Sequence, residues 1–384
     1  MAGHFRKRGS SWYFWITLEH GTSGARRQRS VGGFKTRREA EIAYGELWNE
    51  IHQGIYVEPS RISVAAYLVD EWLPAIRATV RPSTWDHYRR AVEAYAVPNI
   101  GTRKLSELSP AHLNALYAQL LRCGRTQVRR DKPEQGLSPK TVRHVHTMLH
   151  KALHDAVRWG HLARNPAERA DPPRPKTPEM HVWSPDELWA VLKFVESDRL
   201  YAAWLLFGTT GMRRGEVLGL RWREIDLKNK QRAVIRALVV VNREVLVSEP
   251  KTAKGRRTVA LDTTTAFELE RHRRRQLEER LGVGQAWQDT GLVFTHEDGS
   301  ALSPRLFSAW FGQLSRDAGL PHIRLHDVRH SYATASLIAG ISTKIVSERL
   351  GHASISITLD TYSHVLPNMQ EAAAEEVARI ILGN

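Results

Sequence analysis

The hydrophobic and polar positions of the chain change their spacing from one stretch to the next. Two runs of aromatic and β-branched residues come first, with glycines between them, and this pattern is typical of a hairpin or small sheet. The two runs are residues 11–18 and 28–34. A helix is expected from about 37 to 52, because Thr36 and Glu39 have the spacing of a capping box. Residues 1–58 are therefore predicted to form a small sheet plus one helix.

Four apolar patterns with helical spacing follow in residues 62–170, and each begins near a serine that suits an N-cap. The four serines are Ser63, Ser83, Ser109 and Ser138. Pro110 and Pro139 follow two of them at the first helical position, where proline costs no hydrogen bond. This stretch is predicted to form a four-helix unit. Residues 171–180 contain four prolines and are predicted to be a linker.

Residues 181–384 combine both kinds of pattern. Ser184, Pro185 and Glu187 form a capped helix start, and strand-like runs over about 232–261 interrupt an otherwise helical stretch. The expected fold class is multidomain α+β. It consists of a small β-sheet-plus-helix unit, a four-helix unit, and a mostly α unit with a small antiparallel sheet.

The charge of the chain points to a polyanionic partner. The formal net charge is +15 and the isoelectric point is near 10.1. A protein this basic commonly meets nucleic acid, because its surface attracts the phosphate backbone. The alternative is a basic surface that only keeps the protein soluble.

Other features exclude whole classes of protein. Cys123 is the single cysteine, so neither an internal disulfide framework nor a cysteine-based metal cluster is expected. No run of about 18 or more apolar residues occurs, which argues against a membrane span. The N-terminus is basic but lacks the apolar core and cleavage site of a signal peptide. The protein is therefore expected in the cytoplasm, without a membrane partner.

Two segments of the third unit carry basic residues that suit phosphate contact. Arg213 opens a helix that also contains Glu216, and a guanidinium beside free backbone N–H groups is a good phosphate site. Lys251 lies on a turn between two strand-like runs, from which its long side chain can reach far. Each residue also has a simpler interpretation. Arg213 can be an ordinary surface arginine, and Lys251 can be part of a solvated basic hairpin.

Two further segments hold candidate acid–base and nucleophilic groups. His326 and Arg329 are three residues apart, so they share one face of a helix, although this spacing alone is weak. Tyr362 follows His352 in a polar segment and is a candidate nucleophile. The simpler interpretation is an ordinary half-buried tyrosine. The order and the context of these segments carry more weight than any one of them.

Six residues of the third unit, taken in order, resemble the active-site signature of the tyrosine recombinase (phage integrase) family. They are Arg213, Lys251, His326, Arg329, His352 and Tyr362. The flanking strings are also similar to those of the family. They are TGMRRGEVLGLRW, PKTAKGRRTV, LHDVRHSYAT and LGHASISITLDTYSHV, of which the last two are highly specific. The interval from His352 to Tyr362 is longer than in many members.

The N-terminal units resemble other parts of integrases through weaker motifs. Residues 1–58 are similar to the arm-type DNA-binding domain, and residues 62–170 to the helical core-type DNA-binding domain. The resemblance makes residues 181–384 the tyrosine recombinase catalytic domain, with 171–180 as the linker.

The resemblance implies a reaction. Tyr362 attacks a backbone phosphate and leaves a 3′-phosphotyrosine and a free 5′-hydroxyl, and a second strand's 5′-hydroxyl reverses the step. Arg213 and Arg329 clamp the non-bridging oxygens and stabilise the added charge. Lys251 gives a proton to the leaving 5′ oxygen. No metal, other cofactor or ATP is implied, because the covalent link keeps the phosphodiester energy.

The resemblance also implies roles for the neighbouring groups. His326 takes the proton of Tyr362 or orients the phosphate, and His352 donates a hydrogen bond to a phosphate oxygen. Glu216 orients Arg213, although a simple helix salt bridge fits equally well. Two further histidines near the site are interpreted as structural. They are His330 and His364.

The implied partners are double-stranded DNA attachment sites and further copies of the chain in a homotetramer on DNA. The resemblance leaves room for a DNA-bending host factor and an excision factor, and it implies action in the cytoplasm of a bacterial host, at the nucleoid. A C-terminal helix over 367–382 docks on a neighbouring protomer in the family. Packing of this helix on its own domain is the alternative.

Other functions remain open at this stage. A recombinase of a transposon, or one that resolves chromosome dimers, would use the same chemistry, although the latter normally lacks an arm domain. A type IB topoisomerase would relax DNA by similar chemistry. A non-catalytic DNA-binding regulator on the same fold would bind DNA without cutting it. The arm-like residues 1–58 and the six filled positions favour an integrase.

Overall fold

The computed structural model divides the chain into two compact units, Met1–Lys176 and Thr177–Asn384. The described residues are 4–18, 27–52, 61–125, 136–176, 181–227, 229, 231–234, 237–241, 244–248, 257–362, 375 and 377–383. The fold is mostly helical with small antiparallel sheets, so the predicted fold class is confirmed. Among the described helices, none has the length and apolar character that crossing a bilayer requires.

The first unit begins with a three-stranded antiparallel sheet in the order β1-β2-β3 and one helix. These elements are β1 (His4–Arg8), β2 (Ser11–Leu18), β3 (Arg27–Phe34) and α1 (Arg37–His52). Phe14 on the central strand is fully buried; its ring stacks on Phe34 and meets Tyr44 of the helix edge-on. The sheet and the helix therefore share a small aromatic core.

Four helices form the rest of the described first unit, in agreement with the predicted four-helix unit. They are α2 (Val64–Ala66, Tyr67–Trp72 and Leu73–Ile76), α3 (Pro82–Ala91, Val92–Ala96 and Val97–Ile100), α4 (Pro110–Cys123) and α5 (Pro139–Arg158). The middle segments of α2 and α3 are π-helical, and short 3-10 turns occur at Leu105–Glu107 and Pro166–Arg169.

The serine signals located three of these four helix starts. The hydroxyls of Ser63, Ser109 and Ser138 accept hydrogen bonds from the free backbone N–H groups of the first turn. The prediction for Ser83 is wrong, because Pro82 takes the first helical position and Arg81 becomes the N-cap. Proline is already set for the helix there and needs no capping serine.

A buried carboxylate ties the helices of this unit together. Asp155 on α5 is 2% exposed and accepts a hydrogen bond of 3.0 Å from the indole Nε1 of Trp72 on α2. Lys151 and Arg158 contact the same carboxylate at 2.7 and 3.3 Å. Burial alone would raise the pKa of Asp155, but the hydrogen bonds from Lys151 and Trp72 outweigh it and lower the pKa. A polar bond therefore fixes how α2 and α5 meet.

The second unit consists of eight helices in its described part, with strands between the third and the fourth. The helices are α6 (Pro185–Phe194), α7 (Tyr201–Thr210), α8 (Arg214–Leu218), α9 (Thr263–Val283), α10 (Pro304–Asp317), α11 (Leu325–Ile338), α12 (Thr343–Leu350) and α13 (Ile355–Tyr362). The strands are β4 (Ile225–Asp226), β5 (Gln231–Val234), β6 (Ala237–Val241), β7 (Glu244–Ser248) and β8 (Arg257–Ala260). Short 3-10 turns lie at Trp222–Glu224 and Gly284–Ala286.

Two antiparallel sheets form from these strands, one in the order β4-β5-β8 and one of β6 with β7. Helix α7 is apolar on all sides and lies at the centre of the core, where Leu206 and Phe207 are buried. Of the predicted C-terminal helix over 367–382, the structure describes residues 375 and 377–382, which are helical. The predicted domain limits at 58, 62 and 170 stay predictions.

Replacing Asp155 by alanine is expected to destabilise the first unit by about 1–3 kcal/mol, because the buried indole N–H of Trp72 loses its acceptor. Asp155→Asn keeps an acceptor oxygen and should cost less. The exposed Asp70 offers a control, and Asp70→Ala should change stability by less than about 0.5 kcal/mol. Urea unfolding of the whole chain, with hydrogen exchange of the α5 amides, measures the difference. Equal losses for Asp155 and Asp70 would contradict the role of the buried carboxylate.

Candidate active site

Arg213 is the N-cap of helix α8 and is bound to a buried carboxylate one turn later. Its Nη1 donates to Oε1 of Glu216 at 2.8 Å, and its backbone N–H donates to Oε2 at 2.9 Å. The Arg213 side chain is 39% exposed, whereas that of Glu216 is buried. The guanidinium is therefore held from the protein side and open to a ligand on the other.

Arg329 is the second arginine at this place and is itself almost completely buried. From helix α11 its Nη1 donates to the carbonyl of Gly211 at 2.9 Å, and its Nη2 donates to the carbonyl of Leu350 at 2.7 Å. Burial and the nearby Arg213 lower the pKa of Arg329, to about 9, so its guanidinium stays charged at neutral pH. Arg213 donates in the same way to the carbonyl of Gly351, at 3.1 Å.

Two glycines in left-handed conformation shape the turns that carry these carbonyls. Gly211 ends α7 with φ 62°, and Gly351 ends α12 with φ 67°. A Cβ at Gly211 would lie 2.4 Å from the ring of Tyr332, and one at Gly351 would lie 2.8 Å from the guanidinium of Arg257. Both positions thus exclude a side chain, on conformational and on steric grounds.

Arg257 on strand β8 completes this charge network. Its side chain is 8% exposed, and its Nη1 and Nη2 donate to the two carboxylate oxygens of Glu216 at 3.2 and 3.1 Å. Its Nε also donates to the carbonyl of Arg349. The basic string PKTAKGRRTV contains it but does not distinguish it from its neighbours.

Glu216 is ionised because two guanidinium groups surround it. Burial by itself would raise the pKa of Glu216, but the charges of Arg257 and Arg213 and their hydrogen bonds outweigh it and lower the pKa to about 2. Arg329 lies near these groups, so the cluster holds three arginines and one carboxylate and has a surplus of positive charge. Such a surplus at a partly exposed place suits a phosphate diester.

Three residues of helix α11 face the same region, because the second and the third lie three and four positions after the first. They are His326, Arg329 and His330. The rings of His326 and His330 meet edge-on, with their centroids 5.3 Å apart. His326 is exposed to solvent on one side, yet the loss of water on its protein side and the nearby His330 and Arg329 lower its pKa to about 4. Both imidazoles are neutral at pH 7.

Tyr362 ends helix α13 and is 1% exposed. Its ring packs in a small apolar cluster with Ala333 and Leu337 of α11 and with Val346 of α12. Its phenol oxygen lies 2.7 Å from Nδ1 of His330. Burial raises the pKa of Tyr362 to about 12, although Arg329 acts in the opposite direction. The candidate nucleophile is thus a neutral phenol inside the protein.

His352 follows the turn at Gly351 and is oriented by a hydroxyl of the next helix. Its Nδ1 is 2.7 Å from Oγ1 of Thr358 on α13. Burial first, and then the charges of Arg329 and Arg213, lower the pKa of His352 to about 4. The contact with Thr358 leaves Nε2 as the ring atom available to another partner.

Five of the six predicted site residues lie in the part of the chain that the structure describes, on α8, α11, α13 and the turn before α13. Lys251 lies outside the described residues, and so does His364. Within the described ranges, no three His, Cys, Asp or Glu side chains converge in a way that would hold a metal ion. The expectation that no metal or other cofactor is used stays a prediction.

Comparisons with known proteins match three parts of the chain. Residues 182–369 match the phage integrase family, residues 4–51 an arm DNA-binding domain, and residues 66–121 the N-terminal SAM-like domain of phage integrases. A tyrosine recombinase described as XerC-like, from Caldanaerobacter subterraneus, is 30% identical over 97% of each chain. The chain belongs to the tyrosine recombinases of the phage integrase family.

Solved structures of other tyrosine recombinases have the same fold. The Tn1549 transposon integrase in complex with transposon right end DNA is similar with a TM-score of 0.65 and 20% identity, over 83% of this chain and all of that one. A lambda integrase tetramer bound to a Holliday junction is similar with a TM-score of 0.53 and 16% identity, over 93% of this chain and 94% of that one. At these identities the likeness shows the fold alone.

Removing the buried carboxylate of Glu216 should strongly destabilise this recombinase. Glu216→Ala is expected to destabilise the second unit by about 3–5 kcal/mol, because it leaves the buried guanidinium of Arg257 without a counter-charge. Glu196 forms an exposed pair with Lys193, so Glu196→Ala should cost at most about 1 kcal/mol. Urea denaturation of both variants provides the test, and a loss at Glu216 no larger than that at Glu196 would count against the charge network.

The same carboxylate should make stability depend on acidity. The folded pKa of Glu216, about 2, lies below its ordinary value of 4.5. Its contribution is therefore complete above about pH 4.5 and is lost as the pH falls toward 2. We expect the difference in unfolding free energy between the wild type and Glu216→Gln to shrink over this range. A difference that stays constant from pH 6 to pH 3 would contradict the assigned ionisation.

Proposed function

We propose that this tyrosine recombinase is an integrase, which integrates and excises a phage or another mobile element at specific DNA sites. The observation that carries the proposal is that Arg213 and Arg329 lie near a buried tyrosine, Tyr362. The phenol of this tyrosine is hydrogen-bonded to the imidazole of a histidine. In this proposal residues 1–58 bind arm-type DNA, 62–170 bind core-type DNA, 171–180 form the linker, and 181–384 cut and rejoin the strands.

The two arginines would supply the electrostatic part of the reaction. Attack on a phosphodiester adds negative charge to the two non-bridging oxygens as the phosphorus becomes pentacoordinate. Arg213 faces solvent and can receive one oxygen, while Arg329 is already oriented by two backbone carbonyls. Groups that are fixed before the reaction need no reorganisation when the charge develops, which lowers the barrier. His352 would donate a further hydrogen bond through Nε2.

Tyr362 would be the nucleophile. Its oxygen forms a bond to phosphorus and displaces the 5′ oxygen, which leaves a 3′-phosphotyrosine and a free 5′-hydroxyl. Lys251 would give the leaving oxygen its proton. The phosphotyrosine keeps the energy of the phosphodiester, so a second 5′-hydroxyl can attack it without ATP. Glu216 would act through Arg213 and not on the DNA itself.

Double-stranded attachment-site DNA is the proposed substrate, and the net charge of +15 supports contact with its backbone. The lambda integrase tetramer on a Holliday junction supports a homotetramer as the working assembly. In that assembly the C-terminal helix predicted over 367–382 would dock on a neighbouring copy. The proposal also includes two further partners, a DNA-bending host factor and an excision factor. It places the reaction in the bacterial cytoplasm.

A recombinase that resolves chromosome dimers is the second candidate, because it would use the same chemistry and the relative that is 30% identical is a tyrosine recombinase. The arm-domain match over residues 4–51 favours an integrase instead. A transposon recombinase would also carry such an arm, and the likeness to the Tn1549 integrase supports that variant. A recombination assay between two attachment sites, with and without residues 1–58, separates the first two candidates. A requirement for residues 1–58 would favour the integrase. Relaxation of DNA without strand exchange would indicate a topoisomerase.

The Tyr362→Phe variant should bind DNA like the wild type and form no covalent adduct, because phenylalanine has the ring but lacks the attacking oxygen. The measurement uses a nicked attachment-site duplex that traps the cleaved strand, with EDTA present. A denaturing gel then resolves protein linked to DNA from free protein.

Tyr332 provides a matched control on helix α11, since its hydroxyl accepts a hydrogen bond from Arg349 and not from a group of the site. Tyr332→Phe should still form the adduct. Covalent linkage in Tyr362→Phe would refute the nucleophile. Absence of linkage in the wild type on its true site would leave a DNA-binding protein without catalysis.

A further inference from the structure

The contact between Tyr362 and His330 has no assigned role in the reaction described so far. The phenol oxygen and Nδ1 of His330 are 2.7 Å apart, which is the distance of a strong hydrogen bond. The two rings are inclined at 51°, with centroids 5.8 Å apart. This imidazole therefore touches the atom that is proposed to attack phosphorus.

The phenol is the donor in this hydrogen bond. Tyr362 is 1% exposed, and a buried hydroxyl needs an acceptor for its hydrogen. His330 Nδ1 is the acceptor that the described residues provide at its oxygen. A neutral imidazole accepts at one nitrogen when its hydrogen is on the other, so the hydrogen of His330 lies on Nε2. The phenol proton already points at a nitrogen that can receive it.

The surroundings keep His330 neutral in the absence of DNA. Burial lowers the pKa of His330, Asp327 on the same helix raises it, and Arg329 and Arg324 lower it further. Two other imidazoles belong to the same group. The ring of His326 meets that of His330 edge-on, and His330 contributes to the lowered pKa of His352, which lies in the turn before α13. A phosphate bound at the arginines would add negative charge here and favour the protonated form of His330.

We propose that His330 is a catalytic residue, which accepts the phenol proton as Tyr362 attacks the phosphate. In this step the bond from Oη to phosphorus forms, the bond from phosphorus to the 5′ oxygen breaks, and the proton moves from Oη to Nδ1. The leaving oxygen takes its own proton from Lys251. Rejoining reverses each transfer, and His330 returns the proton to Oη. The inference rests on the proposed function and deepens it.

This assignment separates the tasks of the two neighbouring histidines. His326 is exposed toward solvent, and its ring is one helical turn from His330 on the same face. The described contacts place His330, and not His326, at hydrogen-bond distance from the phenol. His326 is therefore left to orient the phosphate, which is the second of the two roles that its position suggested.

The experiment uses the whole chain and a DNA site in which sulfur replaces the 5′ bridging oxygen at the cleaved bond. A thiolate leaves without a proton, because thiols are much stronger acids than alcohols, so the donor to the leaving group no longer affects the rate. The rate of adduct formation then reports on removal of the phenol proton. It is measured from pH 5 to pH 10 in single turnover.

The decisive variant is His330→Asn, whose Oδ1 can accept the same hydrogen bond near the Nδ1 position but cannot keep a proton. For the wild type we expect the rate to rise with pH and then level off once His330 is neutral. For His330→Asn we expect a rate lower by about 10²–10⁴-fold at pH 7, as for loss of a general base. Its deficit should shrink with rising pH, without a plateau, because hydroxide replaces the lost acceptor.

Controls distinguish the possible failures. The exposed His322 is replaced by asparagine in parallel, and its rate and pH profile should equal those of the wild type. Circular dichroism and DNA binding establish that each variant folds, and His330→Gln takes the place of the asparagine variant if that one does not. If His330 were only structural, the pH–rate profile of the asparagine variant would keep its plateau.

A plateau in the His330 variant at a rate within about tenfold of the wild type would overturn the inference, since that loss is far below the contribution of a general base. The proposed function would still stand, because the wild type forms the adduct. No adduct from the wild type, with either the oxygen or the sulfur substrate, would overturn the proposed function itself. The two failures are therefore distinguishable.

Discussion

The arrangement of this active site depends on holding three guanidinium groups close together inside a protein. Like charges repel more strongly where water is excluded, so each of these groups needs a fixed counterpart. Glu216 binds Arg213 and Arg257 from the buried side, while backbone carbonyls of Gly211 and Leu350 hold Arg329. The one carboxylate is not enough to neutralise the cluster, and the remaining positive charge is what a phosphate would neutralise. In the proposed reaction, a bound phosphate would therefore balance the positive charge that Glu216 leaves uncompensated.

Backbone conformation is as important here as charge. The carbonyls that orient Arg329 and Arg213 come from turns at the ends of α7 and α12, and both turns require a glycine with positive φ. A side chain at Gly351 would displace Arg257, and one at Gly211 would displace Tyr332. The helix ends therefore do two things at once: they stop the helices, and they direct the last carbonyls at cations. This is the favourable interaction of a helix C-terminus with positive charge, used to position side chains.

Sequence patterns located most of the elements but not most of the contacts. Capping serines marked the starts of α2, α4, α5 and α6 because the signal is local, and Ser83 misled because the neighbouring proline took its place. The order of motifs named Arg213, Arg329 and Tyr362 through resemblance. The motifs did not reveal Arg257, which is 41 residues from Glu216 in the sequence. Its contact with Glu216 depends on where strand β8 lies in the fold. The contact of His330 with Tyr362 was hidden for the same reason.

Burial of Tyr362, the proposed nucleophile, is the property that links packing to chemistry in this molecule. The ring of Tyr362 contributes to the apolar cluster of α11 and α12, so its position is fixed by the same contacts that hold these helices together. Burial also makes the phenol of Tyr362 harder to ionise, because it raises the pKa to about 12. A protein can offset this cost by bringing positive charge near the oxygen or by placing a proton acceptor against it. Helix α11 does both within one turn, through Arg329 and His330. Helix α11 therefore supplies both contacts that bury the tyrosine and the groups that are proposed to activate it.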